Sequence, residues 1–185
     1  MISFVLGGAK SGKTSWALKY GEHLLGFREF YYLATAIPFD TEMKRKIEKH
    51  REERSKLWQL IEEPLEIAQV LKRLKGRDAV ILIDCLTLWL SNLLYYKKPV
   101  ETFIENFLEE LKAFKAHLRG WVILVSNELG LGLVPESELG RAFRELAGVL
   151  HQKVAEIADE VYFIIAGLPL TLKGKSNGID TGNLP

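Results

Sequence analysis

Residues 7 to 14 read Gly7-Gly8-Ala9-Lys10-Ser11-Gly12-Lys13-Thr14, directly after the apolar run Ile2–Leu6 and before a helical pattern. This is G-x-x-x-x-G-K-[ST] in the strand-loop-helix setting that gives the motif its meaning. Glycines let the backbone turn tightly and aim successive N–H groups at one anion. Lys13 supplies a cation for the β- and γ-phosphates of a nucleotide, and Thr14 a hydroxyl for Mg²⁺. The helix expected over Lys13–Leu25 adds the positive end of its dipole. The chemistry implied is binding of a nucleoside triphosphate.

A second candidate lies on a helix expected over Thr41–Trp58, which Asp40 or Thr41 would cap. Its inward stripe reads Met43, Ile47, His50, Arg54 and Leu57, so a histidine and an arginine stand where a core-facing helix normally carries apolar residues. Two readings stay open. His50 is an ordinary partly buried histidine with Arg54 snorkelling to solvent, or this face looks into the nucleotide site. In the second case His50 is a base or nucleophile, Arg54 holds phosphate and Arg51 flanks them.

Asp84 ends the apolar run Ala79–Ile83. Such a carboxylate is either the Mg²⁺-supporting or nucleotide-reading half of a P-loop site, or a cap on the next helix. Ala34-Thr35-Ala36 ends another run with small residues that allow close backbone approach. Glu62 and Glu63 read, from their surroundings alone, as solvated loop charges. Ser126-Asn127-Glu128 followed by Gly130 and Gly132 is either a substrate loop at a strand end or a glycine turn with polar caps. His23, His117 and His151 lack metal-ligand spacing and read as structural or surface residues.

The elements that must position these groups alternate. Nearly continuous apolar runs over Ile2–Leu6, Glu29–Ala34, Ala79–Asp84, Trp121–Ser126 and Glu160–Ala166 predict strands covered on both faces. Helical patterns cover Lys13–Leu25, Thr41–Trp58, Pro64–Leu74, Leu86–Tyr95, Val100–Leu118 and Glu138–Ala158, with Pro64 at a first-turn position. The alternation predicts an α/β domain with a mostly parallel sheet flanked by helices, over residues 1–174. The polar stretch after Gly174 reads as a flexible tail.

The bulk numbers narrow the class. A chain of 185 residues, 48% hydrophobic and 26% charged, has enough apolar material for one substantial core. A net charge of +1 gives no reason to expect nucleic acid or an acidic membrane as partner. Cys85 is the single cysteine, so an intrachain disulfide is excluded and a cytoplasmic setting is expected. The N-terminal run reads as a strand rather than a leader, and the run Ile81–Leu94 is interrupted by Asp84, Ser91 and Asn92, so no membrane insertion is expected.

Taken in order, these residues resemble the bifunctional adenosylcobinamide kinase / adenosylcobinamide-phosphate guanylyltransferase family of cobalamin biosynthesis. The resemblance runs over about residues 1–174. It is carried by the Gly7–Thr14 loop, Tyr32-Leu33-Ala34-Thr35-Ala36, Glu42-Met43 with Ile47, His50, Arg54 and Trp58, and Asp84-Cys85-Leu86-Thr87-Leu88-Trp89-Leu90. Asn92-Leu93-Leu94, Ser126 to Gly130, Val134-Pro135, Arg144, Gly148, Gln152 and Ala158-Asp159 complete it. The P-loop alone is generic, whereas the ordered set is specific.

The resemblance implies a P-loop, RecA-like α/β fold and a homotrimer. It implies GTP and ATP as nucleotides with Mg²⁺, and adenosylcobinamide and its phosphate as substrates. It makes His50 the residue that accepts GMP as a phosphoramidate. It places nucleotide contacts at Gly7, Gly8, Ala9, Lys10, Ser11, Gly12, Lys13, Thr14, Ala34, Thr35, Ala36, Arg51, Glu52, Glu53, Arg54, Glu62 and Asp84. Lys10 stands where arginine is common, Thr14 where serine is common, and His151 where asparagine is usual. Two other classes compete: a monofunctional small-molecule kinase, which forms no covalent GMP-enzyme, and a nucleotide-dependent switch, which tolerates changes at His50.

Overall fold

The computed structural model describes residues 1–37, 55–117 and 119–174. Its strands are β1 (Ile2–Gly7), β2 (Glu29–Ala34), β3 (Gln59–Glu62), β4 (Ala79–Asp84), β5 (Trp121–Asn127), β6 (Glu160–Ile165) and β7 (Leu168–Lys173). The described helices are α1 (Lys13–Glu22), α2 (Ile67–Leu74), α3 (Leu86–Tyr95), α4 (Val100–Ala116) and α5 (Glu138–Ile157). The strands form one sheet in the order β3-β2-β4-β5-β1-β6-β7. Every neighbouring pair is parallel except β6 and β7. This is the P-loop, RecA-like α/β architecture expected.

The central strands are buried on both faces, which is why their sequences run apolar without alternation. On one face Phe4, Leu33, Ile81, Ile83, Val122 and Leu124 pack against α2, α3, α4 and α5, with Trp89 and Phe107 fully buried among them. On the other, Val5, Tyr32, Leu82, Ile123 and Val125 meet Trp16, Ala17 and Tyr20 of α1. Trp89 also donates its indole N–H to the Leu65 carbonyl at 2.7 Å, tying the start of α2 to α3.

Several boundaries differ from expectation. α1 ends at Glu22 rather than Leu25, and the chain then turns through Gly26 at φ 95°, the left-handed region that favours glycine. The helix expected to start at Pro64 starts at Ile67; the Glu63 carboxylate accepts the N–H groups of Leu65 and Glu66 at 3.0 and 2.9 Å and holds a turn there. The helix expected over Thr41–Trp58 lies outside the described residues except for 55–58, which form a turn. In that turn Trp58 is buried against Phe30 and donates to Glu22 at 2.8 Å. Residue 118, and the tail after Gly174, also lie outside the described residues.

Two strands were not expected. β3 is four residues long and mostly exposed, and it includes Glu62, which is therefore a strand-end residue rather than a loop charge. β7 is an edge strand entered through Ala166-Gly167, whose φ values of 51° and 83° make the two-residue hairpin turn. The tip of that hairpin touches the phosphate loop: Gly167 N–H donates to the Ser11 carbonyl at 2.8 Å. Of the described helices, none is long and apolar enough to cross a membrane.

Candidate functional site

The Gly7–Thr14 loop leaves β1 at the carboxyl end of the sheet, where open α/β folds bind ligands. Lys10 and Gly12 both take positive φ, 55° and 88°, so the backbone folds into a concave nest of the kind that binds anions. Gly12 has no alternative: a Cβ there would sit 3.2 Å from Gly167 Cα, besides the strain of its φ. Gly7 is equally constrained by space, since a Cβ would fall 2.8 Å from the Ile164 carbonyl oxygen and 2.5 Å from Ser11 Oγ. Ser11 Oγ is buried and has no hydrogen-bond partner among the described residues. A buried hydroxyl left unpartnered in a loop of this shape fits a phosphate oxygen as its missing partner.

Lys13 is 8% exposed, and its ammonium reaches back to the Gly8 carbonyl at 3.1 Å. Burial lowers its pKa from the ordinary lysine value, against the opposing pull of Asp84. A desolvated cation held beside the loop is poised to gain from an anionic ligand.

Beyond Lys13 lies a pocket of about 200 Å³ lined by Thr14, Tyr32, Ala34, Glu62, Asp84 and Asn127, among others. Strand register explains the convergence. Ala34 pairs with Asp84 on one side and with Glu62 on the other, so three strand ends finish level. Tyr32 lies two residues before Ala34 and so shares its face. Asp84 Oδ2 accepts from Thr14 Oγ1 at 2.9 Å and from Tyr32 OH at 2.8 Å. A hydroxyl and a carboxylate at this separation suit a hard divalent cation that takes its remaining ligands from water and phosphate. Among the described residues no cluster of three or more metal-ligating side chains exists.

Of the expected contact residues, the structure therefore brings together Lys13, Thr14, Ala34, Ala36, Glu62 and Asp84. Lys10, Ser11 and Gly12 line the adjoining hollow over the loop, of about 270 Å³. Thr35 has a different job. It is buried, its hydroxyl accepts from Cys85 N–H at 2.8 Å and donates to Cys85 O at 2.9 Å, and its carbonyl accepts from Asn92. It holds the ends of β2 and β4 together rather than facing the pocket. His50, Arg51, Glu52, Glu53 and Arg54 lie outside the described residues.

In the sequence Tyr32 reads as a strand residue and as part of the resemblance, without a role in the site. Its signal was faint: a phenol on a strand face needs a partner, and the partner sits 52 positions away. Asn127 joins the pocket from the end of β5, and its amide donates to Thr87 Oγ1 at 3.1 Å. Glu128 instead accepts the N–H groups of Gly130 and Leu131. Cys85 is a pocket wall rather than a reactive thiol, since burial pushes its pKa up to about 11.

His151, which reads in the sequence as a structural or surface residue, is partly buried. Its Nε2 pairs with Ser126 Oγ at 2.8 Å and its ring lies against Phe4. Burial pushes its pKa down to about 4, with Glu128 pulling weakly the other way. The unfolded chain binds this proton near 6.5, whereas the folded chain does not until about 4. Stability from this group is therefore complete above pH 6.5 and is lost as pH falls through the window from 6.5 to 4. At pH 5 the loss is on the order of 2 kcal/mol. Urea unfolding at pH 7.5 and pH 5 checks it: His151→Asn, which keeps a hydrogen-bonding side chain but cannot titrate, loses less stability over that interval than the wild type.

Comparison with known proteins adds the family context. Residues 3–172 match the family described as cobinamide kinase / cobinamide phosphate guanyltransferase. A bifunctional adenosylcobalamin biosynthesis protein of Pseudomonas aeruginosa is 42% identical over 95% of this chain and 99% of its own length. Its counterpart in Escherichia coli is 33% identical over 94% of this chain and all of its own. Among solved structures, the flagellar accessory protein FlaH of Methanocaldococcus jannaschii superposes with a TM-score of 0.52 at 17% identity, covering 94% of this chain and 78% of that one. A Pyrococcus horikoshii protein reaches a TM-score of 0.55 at 9% identity, covering 95% of this chain and 87% of that one. At such identities these two likenesses concern the fold alone.

Proposed function

The chain belongs to the cobinamide kinase / cobinamide phosphate guanyltransferase family of cobalamin biosynthesis, and from that premise we propose that it carries out both reactions on adenosylcobinamide. In the first, the hydroxyl of the aminopropanol arm attacks the γ-phosphorus of ATP or GTP and a nucleoside diphosphate leaves. Lys13 and the loop amides hold the phosphates and offset the charge that develops on the transferring group. Thr14 and Asp84 would hold Mg²⁺, which when bound neutralises phosphate charge.

In the second reaction, neutral His50 attacks the α-phosphorus of GTP, an N–P bond forms and pyrophosphate leaves. A phosphate oxygen of adenosylcobinamide phosphate then attacks that phosphorus. The N–P bond breaks, giving adenosylcobinamide-GDP and restoring His50. Imidazole suits the step because it is neutral and nucleophilic near pH 7. Arg51 and Arg54 offset phosphate charge in this reading, Glu62 contributes to the nucleotide's surroundings, and the working unit is a cytoplasmic homotrimer.

The observation that carries the proposal is the meeting of Lys13, Thr14, Tyr32 and Asp84 around one pocket, in a chain that matches the family over nearly its whole length. The test is incubation of purified protein with Mg²⁺, ATP or GTP, and adenosylcobinamide, with products read by mass spectrometry. Adenosylcobinamide phosphate is expected first, then adenosylcobinamide-GDP with pyrophosphate. Phosphate product without the GDP product would leave a monofunctional kinase. Nucleotide binding with no corrinoid turnover would leave a switch.

A further inference from the structure

Two segments leave the wall of the nucleotide pocket and meet again farther out. One is α3, which begins at Leu86 immediately after Asp84 and Cys85. The other is the connection that begins at Asn127 and ends at Ser137, the N-cap of α5. Where the last turn of α3 faces the first turns of α5 there is an open groove of about 500 Å³, lined by Leu94, Tyr95, Leu139 and Phe143 with Ser91 and Ser137. Leu88 of α3 lines the pocket while Ser91, Leu94 and Tyr95 line the groove, so the two lie about 5–10 Å apart along the helix.

The connection between pocket and groove is apolar in an unusual way. Leu131 is 81% exposed and Leu133 97%, and Val134 and Leu139 are exposed as well. Such a run of aliphatic side chains held in water marks a binding surface. The segment is anchored rather than slack. Glu128 accepts the N–H of Leu131 at 3.0 Å, and Arg144 donates to the Gly130 carbonyl. Arg141 donates to the Glu136 and Pro135 carbonyls at 2.6 and 3.2 Å. The leucines are thus presented outward between two fixed ends.

Among the described residues, the lining of the groove carries no charged side chain. The hollow between α2 and α4, of about 400 Å³, differs, since Glu66, Lys72, Glu109 and Glu110 stand in it. The α3–α5 groove therefore suits an amphipathic ligand whose rim is uncharged. Cobinamide has that chemistry: a flat macrocycle with methyl and amide groups on its rim, and the reacting hydroxyl at the end of an arm.

We propose that the belt formed by Leu131, Leu133, Tyr95, Leu139 and Phe143 is the surface on which the cobinamide macrocycle docks, with its aminopropanol arm running back along α3 to Lys13 and Thr14. The inference rests on the reading given under Proposed function and adds to it the place of the larger substrate. It follows from the two segments, α3 and the connection from Asn127 to Ser137, that join the nucleotide pocket to the groove, from the exposed leucines on that connection, and from the absence of charged side chains among the described residues lining the groove.

The test uses two double variants, Tyr95→Ala with Leu139→Ser, and Leu131→Ser with Leu133→Ser, so that the loss of one to misfolding leaves the other. Dicyanocobinamide binding is measured by equilibrium dialysis, alongside GTP affinity, thermal midpoint and sedimentation velocity. The expected result is a rise in the cobinamide Kd of about tenfold or more in each variant, with GTP affinity and thermal midpoint at the wild-type values. Cobinamide binding at wild-type strength in folded variants would overturn the proposal. A variant that sediments as a smaller species while each chain keeps its cobinamide affinity would also overturn it, and would assign the belt to contact between copies of the chain. Wild-type protein that neither binds nor turns over cobinamide would overturn the functional reading itself, and this surface with it. Wild-type turnover with unaffected variants would overturn the surface alone.

Discussion

Lys13→Ala is expected to lower phosphoryl transfer to cobinamide by about 10²- to 10³-fold in kcat, the scale seen when one preorganised charge-stabilising donor is removed. The size follows from where the ammonium sits. It is almost wholly buried, reaches the Gly8 carbonyl across the mouth of the loop, and is desolvated enough that its pKa falls. A cation in that state interacts with transferring phosphate far more strongly than one in water. The fold loses little, because the side chain makes one hydrogen bond to a neighbouring carbonyl and belongs to neither apolar cluster. Lys13→Arg is not expected to rescue activity, since a planar fork presents its charge differently from a compact ammonium. Steady-state product formation together with a thermal midpoint separates this loss from unfolding. A variant that folds as the wild type and retains full kcat would remove Lys13 from the mechanism.

His50→Ala is expected to abolish the covalent GMP-enzyme while leaving phosphorylation of cobinamide in place. The wild type, incubated with Mg²⁺ and α-³²P-GTP, should carry label through a denaturing gel. The label should be lost in acid, as a phosphoramidate is, and map to His50 by mass spectrometry. The two reactions separate because they use different atoms. Transfer of the γ-phosphoryl group calls on the Gly7–Thr14 loop, whereas capture of GMP needs a nucleophile at the α-phosphorus. An absence of adduct in a folded wild type that still binds GTP would dispose of His50 as nucleophile and favour a plain kinase.

These two residues also differ in how they are legible. Lys13 is read from eight consecutive positions, because a loop that wraps one phosphate must be built from neighbours in the chain. The significance of His50 comes from an ordered resemblance; its helical spacing alone favours a partly buried structural histidine. The same division runs through the elements. β1, β2, β4, β5 and β6 stand out as apolar runs because burial on both faces demands it. β3 does not: four residues, mostly exposed at the sheet edge, carry no pattern that separates them from a loop. β7 alternates Leu168, Leu170 and Leu172 with Pro169 and Thr171, but a proline argues against a strand unless it lies at an edge, and the edge is a property of the whole sheet.

What the chain's order alone settles is therefore the phosphate loop, the α/β class and the carboxylate that closes β4, each written in contiguous residues with a local physical cause. Tertiary structure decides which of the remaining polar groups meet. Thr14, Tyr32 and Asp84 come within hydrogen-bonding distance only because β2 and β4 lie side by side with Ala34 level with Asp84, and α1 crosses the same face. Shifting that register by one residue would turn Tyr32 to the opposite side of the sheet. Thr35, two positions from a pocket-lining alanine in neither direction but flanked by Ala34 and Ala36, shows the same rule in reverse: alternation along the extended chain sends its hydroxyl to the Cys85 backbone instead. Register is set by the sum of long-range pairings and core packing, and no short stretch of sequence contains that sum.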